Sequence, residues 1–209
     1  MFGFNLMELV AGLPGLILAL AFHEYAHARA AVAMGDFTPK MMGRLTLNPM
    51  AHIDPIGLVM LLVARFGWAK PVVINPHNFT DRKKGEILVA LAGPAMNFLL
   101  AFLALGVMIL CTHTLRMEMS YGLRSVLWLI VVYNINFGVF NLIPLPPLDG
   151  SRIAMALMPY EMQYRFASLE RYSMIIFILF IATPILGYIL VPIAQFLLTL
   201  FSGIWLIVL

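Results

Sequence analysis

The chain has 209 residues, of which 62% are hydrophobic and only 11% charged; its net charge is +3 and its mean hydropathy +0.95. Soluble domains carry about 45–50% apolar and about 25% charged residues, which excludes a soluble enzyme and a disordered chain. One cysteine, Cys111, excludes a disulfide scaffold.

The first apolar stretch, 6–34, is about 40 Å long as a helix, enough to cross a bilayer. It has no basic leading region and holds a polar cluster in its interior, so it reads as a span and not as a signal peptide. Residues 38–54 are richer in polar, Pro and Gly types, and Thr46-Leu47-Asn48-Pro49 is read as the end of a short strand. The run 55–68 holds only about a dozen apolar residues and predicts a re-entrant or partial segment. Residues 87–111 and 123–142 predict clear spans. Residues 172–209 carry no charge, and Thr183-Pro184, Gly187 and Pro192 divide them into a helical hairpin of two spans. The expected fold is an all-α polytopic membrane protein. It has about five full transmembrane helices plus one re-entrant or partial segment, and a short β element near 43–50. A single domain is expected over 1–209.

Charge sets the orientation. With the Lys- and Arg-free N-terminus outside, eleven of the thirteen basic residues face the cytoplasm, and only Arg116 and Arg124 stay outside. The basic residues lie in short segments between apolar runs, which suits loops over anionic lipid and not a nucleic-acid surface. A multi-pass cell-membrane protein follows, with the lipid bilayer as its surroundings and no nucleic-acid partner.

His23-Glu24-Tyr25-Ala26-His27 forms an HExxH motif inside a predicted helix. Residues i and i+4 share one face, so both imidazoles reach one metal ion. Glu24 stands beside the first of them, placed to take a proton from an attacking water. With 5 His in 209 residues, chance supplies roughly 0.003 such motifs. Three ionisable groups within five residues of a membrane helix are costly and call for a function. A catalytic zinc takes three protein ligands and leaves one position open. The candidates for the third are Asp54, Asp149, His52 and His77. Asp149 ends the segment Asn141-Leu-Ile-Pro-Leu-Pro-Pro-Leu-Asp149, whose three prolines forbid a regular helix. Irregular backbone at membrane depth is tolerated where it is buried in protein or lines a cavity. The alternative reading of Asp149 is the N-cap of a helix starting at Gly150. In this topology His23 lies near the cytoplasmic leaflet, and the span before Asp149 emerges on the same side.

Four segments together resemble the site-2 proteases, the intramembrane metalloproteases of peptidase family M50. They are HEYAH at 23–27, GRLTLNPMAHIDPIG at 43–57, LAGPAMN at 91–97 and NLIPLPPLDG at 141–150. The chain is most similar to the small bacterial branch without PDZ or CBS domains, over residues 10–160. The resemblance implies one zinc per chain on His23, His27 and Asp149, with Glu24 as the general base. It also implies that Asn141, Pro144 and Pro147 shape the active-site loop and help bind substrate, and that the substrates are membrane-protein helices or peptides. The hairpin at 172–209 matches no signature of the family.

Asn97 reads as an interhelical hydrogen-bonding residue or as a support for a metal ligand. His52 and Asp54 read as groups that fix a loop or back up the site, or as parts of a surface turn. His77 and His113 read as interfacial. A helical substrate must unwind to expose its carbonyls, and an exposed strand edge near 45–47 is expected to hold it by β-augmentation. The competing class is a non-catalytic membrane protein, either a metal transporter or an inactive relative that binds helices. A transporter needs ligands along a path, whereas these cluster at one depth. An inactive relative lacks the base, whereas Glu24 is present.

Overall fold

A computed structural model describes residues 6–57 and 69–209. Helix α1 covers Leu6–Ala33, and a single turn, α2, covers Thr38–Met41. Helix α3 covers Arg82–Ile109 and runs on into a π turn, Leu110–Thr114. Helix α4 covers Tyr121–Asn141. Four more helices follow: α5 Asp149–Leu157, α6 Tyr160–Leu169, α7 Ser173–Ala182 and α8 Ile185–Val208. Local chemistry explains the boundaries. Asp81 caps α3 by accepting from the Lys84 amide at 3.0 Å. Ser120 caps α4. Pro144, Pro146 and Pro147 stop α4 from continuing.

Helices α1, α3 and α4 pack against one another. Their contacts give the directions. His27 meets Val89 and His23 meets Asn97, so α1 and α3 are antiparallel. Gly15 meets Ile130 and His23 meets Phe137, so α1 and α4 are parallel. Such an alternation brings the C-terminal part of α1, the N-terminal part of α3 and the end of α4 to one level. Small residues allow the close approach: Ala19, Ala21, Ala26, Ala28 and Ala31 are buried on α1, and Ala90, Ala101 and Ala104 on α3. Ala101, Ala104 and Leu105 form a core with Val131, Ile135 and Val139, against which α8 lays Leu190, Ala194, Leu197 and Phe201.

The described residues correct one expectation and bear on two others. No strand forms near 43–50. Asn48 accepts from the Met50 amide, and Thr46 Oγ1 accepts from the Asn48 amide, both at 3.1 Å. These local bonds replace a ladder, and Pro49 opens a 3₁₀ turn. The strand edge expected to receive substrate at 45–47 is therefore absent. The hairpin at 172–209 does break at Thr183-Pro184, but its first helix, α7, has only ten residues, about 15 Å. Three described helices are long and apolar enough to cross a membrane: α3 with its π turn, α4 and α8. Helix α1 has the length, at 28 residues, but carries His23, Glu24 and His27 in its interior. The re-entrant run expected at 55–68 falls mostly on 58–68, outside the described residues. Its flanks are described, and they meet. Ile53 and Ala69 form an antiparallel bridge, and the Lys70 amide donates to the His52 carbonyl at 2.7 Å.

Candidate metal centre

Helical periodicity puts His23 and His27 on the face of α1 that meets α3, and both are buried. Their hydrogen bonds fix their tautomers. His27 Nδ1 lies 2.7 Å from the Val89 carbonyl, which can only accept, so Nδ1 carries the proton. His23 Nδ1 lies 2.7 Å from Asn97 Oδ1. The Asn97 amide is oriented by its nitrogen, which donates to the Ala19 carbonyl at 3.0 Å, so Oδ1 faces the ring and His23 Nδ1 also donates. Both Nε2 atoms are then bare lone pairs, yet they lie 2.9 Å apart. Asp149 Oδ2 lies 3.2 Å from one and 3.1 Å from the other. Three electron-pair donors converge, an arrangement that a shared metal cation relieves, as does a proton on one Nε2. Ligand atoms about 2.0–2.1 Å from a tetrahedral zinc lie roughly 3.3 Å from one another, close to the spacing seen. The set of two imidazoles and one carboxylate suits zinc.

Two glycines make the approach possible. A Cβ on Gly93 of α3 would sit 2.5 Å from His27 Nε2 and 2.6 Å from His23 Cε1. A Cβ on Gly150 would collide with the Leu142 carbonyl, so only glycine lets the Pro-rich turn fold back on the end of α4. That turn delivers Asp149 in the first turn of α5, with Leu148 in the cap position and not Asp149 itself. Ser151 Oγ donates to the Leu148 carbonyl at 2.7 Å and steadies the turn.

Glu24 is half-buried and accepts from the Val72 amide through Oε2 at 2.9 Å. Val72 belongs to an irregular segment, 70–75, pinned on both sides. Lys70 is held by His52, and the Asn75 amide donates to Asp36 Oδ2 at 2.7 Å. Asp36 is fully buried and also accepts from the Thr38 amide, Thr38 Oγ1 and Asn78 Nδ2. Burial pushes its carboxyl up, but the hydrogen bonds from Thr38, Asn78 and Asn75 outweigh this and hold it below the ordinary carboxylate range.

The other predicted residues take different places, and of them Asn97 bonds to one of the three donor residues. Asp54 Oδ1 accepts from the Ile56 and Gly57 amides, both at 2.9 Å, and so caps the turn at 55–57. His52 is buried and donates to the Thr46 carbonyl at 2.8 Å, which fixes the 46–52 loop. His77 is exposed. Asn141 donates to the Phe137 carbonyl at 3.0 Å at the end of α4, while Pro144 and Pro147 are exposed on the turn. Asn97 touches His23 directly. Among the described residues, only His23, His27 and Asp149 group as candidate metal ligands. Gly93, Val72 and Asp36 were not singled out from the sequence as site residues. Gly93 lies inside the LAGPAMN segment that carried the resemblance. A backbone amide such as that of Val72 leaves no mark in the residue type.

Fold and site define a class: helical, membrane-type proteins with two imidazoles and a carboxylate converging on an HExxH helix. The model of peptidase family M50 matches residues 105–184, which include the Asp149 turn. A Bacillus subtilis protein named "Putative zinc metalloprotease YwhC" is 41% identical over 181 residues, covering 85% of this chain and 82% of its own. The Rip2 proteins, named in the same words, are 31% identical in Mycolicibacterium smegmatis and 29% in Mycobacterium tuberculosis strain H37Rv. Each aligns over 185 residues, covering 84% of this chain and 68% of the relative. The chain belongs to peptidase family M50. No solved structure matches it.

Proposed function

We propose that the protein is an intramembrane zinc endopeptidase that hydrolyses peptide bonds of membrane-protein substrates within or at the edge of the bilayer. The observation that carries this reading is the convergence of His23 Nε2, His27 Nε2 and Asp149 Oδ2 within 3.2 Å of one another, with Glu24 next to His23 on α1. One zinc ion bound by these three would act as a Lewis acid on the scissile carbonyl and make the attacking water more acidic. Val72 N–H holds Glu24 through Oε2, so Oε1 is available to the water. Glu24 takes the proton there and later returns it to the leaving amine.

The helix directions support a site near the cytoplasmic side. With the N-terminus outside, the C-terminal part of α1, the start of α3 and the end of α4 all face inward. The pairing of Ile53 with Ala69 supports a run at 55–68 that enters and leaves on one side. The substrate is a membrane protein, which unwinds locally to present its carbonyl.

The test is cleavage of a single-span membrane protein by the purified chain in liposomes, with the product ends mapped by mass spectrometry. The expected cut lies inside or within a few residues of the hydrophobic segment and is abolished by a zinc chelator. Cleavage confined to soluble polypeptides overturns the reading.

A further inference from the structure

Three helices meet at the amide of Asn97, and a third polar side chain, after Asn97 and His23, completes the meeting. Asn134 on α4 is fully buried and accepts from Asn97 Nδ2 at 2.9 Å. It donates its own Nδ2 to the Ile130 carbonyl one turn back at 2.9 Å. Both protons of the Asn97 amide nitrogen are therefore committed, one to Ala19 of α1 and one to Asn134 of α4. With both taken, Oδ1 has one direction left, and His23 Nδ1 lies in it at 2.7 Å. Without the acceptor on α4, a single bond to Ala19 orients the amide, and the ring of His23 loses half of its anchor. A buried amide with both oxygen and nitrogen engaged is costly to disturb, because a freed donor has no water to turn to.

We infer that Asn134 is a positioning residue for the metal centre: through Asn97 it sets the tautomer and aim of His23. This inference rests on the reading of His23, His27 and Asp149 as a metal site. Partners behind a metal-bound histidine typically change metal affinity about 10–100-fold when lost.

Three substitutions separate positioning from packing. Asn134→Asp keeps an acceptor toward Asn97, ionised or neutral, and keeps a donor toward the Ile130 carbonyl only when neutral. Asn134→Ser keeps a donor to the Ile130 carbonyl and is too short to reach Asn97. Asn134→Leu removes both at similar volume. Zinc affinity is measured on the purified full chain by competition with a chelator, and the visible spectrum of the cobalt-substituted protein reports the ligand geometry. The Asp variant is expected to bind within about threefold of wild type with an unchanged cobalt spectrum. The Ser and Leu variants are expected to bind about 10–100-fold more weakly, with a shifted spectrum. Wild-type affinity in Asn134→Ser, or a loss in Asn134→Asp as large as in Asn134→Leu, overturns the inference. If the Leu variant does not fold, the Asp and Ser variants still decide it. A wild-type protein that holds no metal overturns the metal reading and this inference with it, whereas equal binding by wild type and Asn134→Ser overturns this inference alone.

Discussion

Replacing Gly93 by Ala adds one methyl group against both histidines of the site. The new carbon would lie 2.5 Å from His27 Nε2, 2.6 Å from His23 Cε1 and 2.7 Å from His23 Nδ1. Ordinary carbon contacts begin near 3.5 Å, so something must move by about 1 Å. The rings cannot yield freely, because His23 is tied to Asn97 and His27 to Val89. Moving α3 away instead breaks those same two bonds. Overpacking of this kind costs about 1–3 kcal/mol. A displacement of about 1 Å costs on the order of 100-fold in rate, and disturbed support of the ligands costs about 10–100-fold in metal affinity. Gly203 in α8 has no atom within 4 Å of its missing Cβ. Ala there is expected to leave metal and activity unchanged and to favour the helix by about 0.5–1 kcal/mol. Metal content after dialysis against a weak chelator, with proteolysis measured in parallel, compares the two variants. Wild-type metal affinity in Gly93→Ala would refute the close approach of α3 to the histidines.

Asp149→Asn is expected to lose its metal on mild chelation, while Asp54→Asn, which alters only the cap of the 55–57 turn, keeps it; metal analysis after dialysis shows which carboxylate belongs to the site. Asp36 has a folded pKa below its unfolded value of about 3.9, so its contribution to stability is complete above that pH and is lost as pH falls through the folded pKa. Asp36→Asn is expected to lower the melting temperature in detergent near pH 7, by the equivalent of about 1–3 kcal/mol, with the gap to wild type closing below pH 4. A gap that stays constant into acid would contradict the ionised anchor. In a Cys111→Ser background, single cysteines at the exposed positions Lys40 and Lys70 are expected to label from the same side of the membrane and one at Glu118 from the other. Labelling of Lys40 and Lys70 from opposite sides would rule out a re-entrant 55–68.

The legible part of the site is the part that helical spacing fixes. His23 and His27 lie four residues apart on an apolar helix, so their meeting follows from the helix itself. Asp149 is separated from them by more than 120 residues, and its spacing left three rivals open; only the resemblance singled it out, and the Pro-rich turn with Gly150 is the physical means. Asn97 was visible as a polar residue in a span, but its use as a hydrogen-bond acceptor for His23 depends on Ala19 and Asn134, which no local pattern links to it. Alternating Leu and Thr near 43–50 suit a strand, but Thr46 and Asn48 satisfy the same backbone locally, which no alternation pattern shows. In 172–209 the break at Thr183-Pro184 was legible. The start of α7 was legible too: it begins at Ser173, directly after a 3₁₀ turn at Glu170–Tyr172, so the break at Thr183-Pro184 is what limits it to ten residues.

The most direct test of the account pairs wild type with Glu24→Gln and measures zinc content and cleavage of one membrane-protein substrate in the same preparations. Gln keeps the length of the side chain and removes the base, and none of the three converging donor atoms is touched. The account predicts equal zinc, close to one per chain, in both proteins, with cleavage in the variant lower by at least about 100-fold. Full cleavage by Glu24→Gln, or a wild type that cleaves without metal, would contradict it.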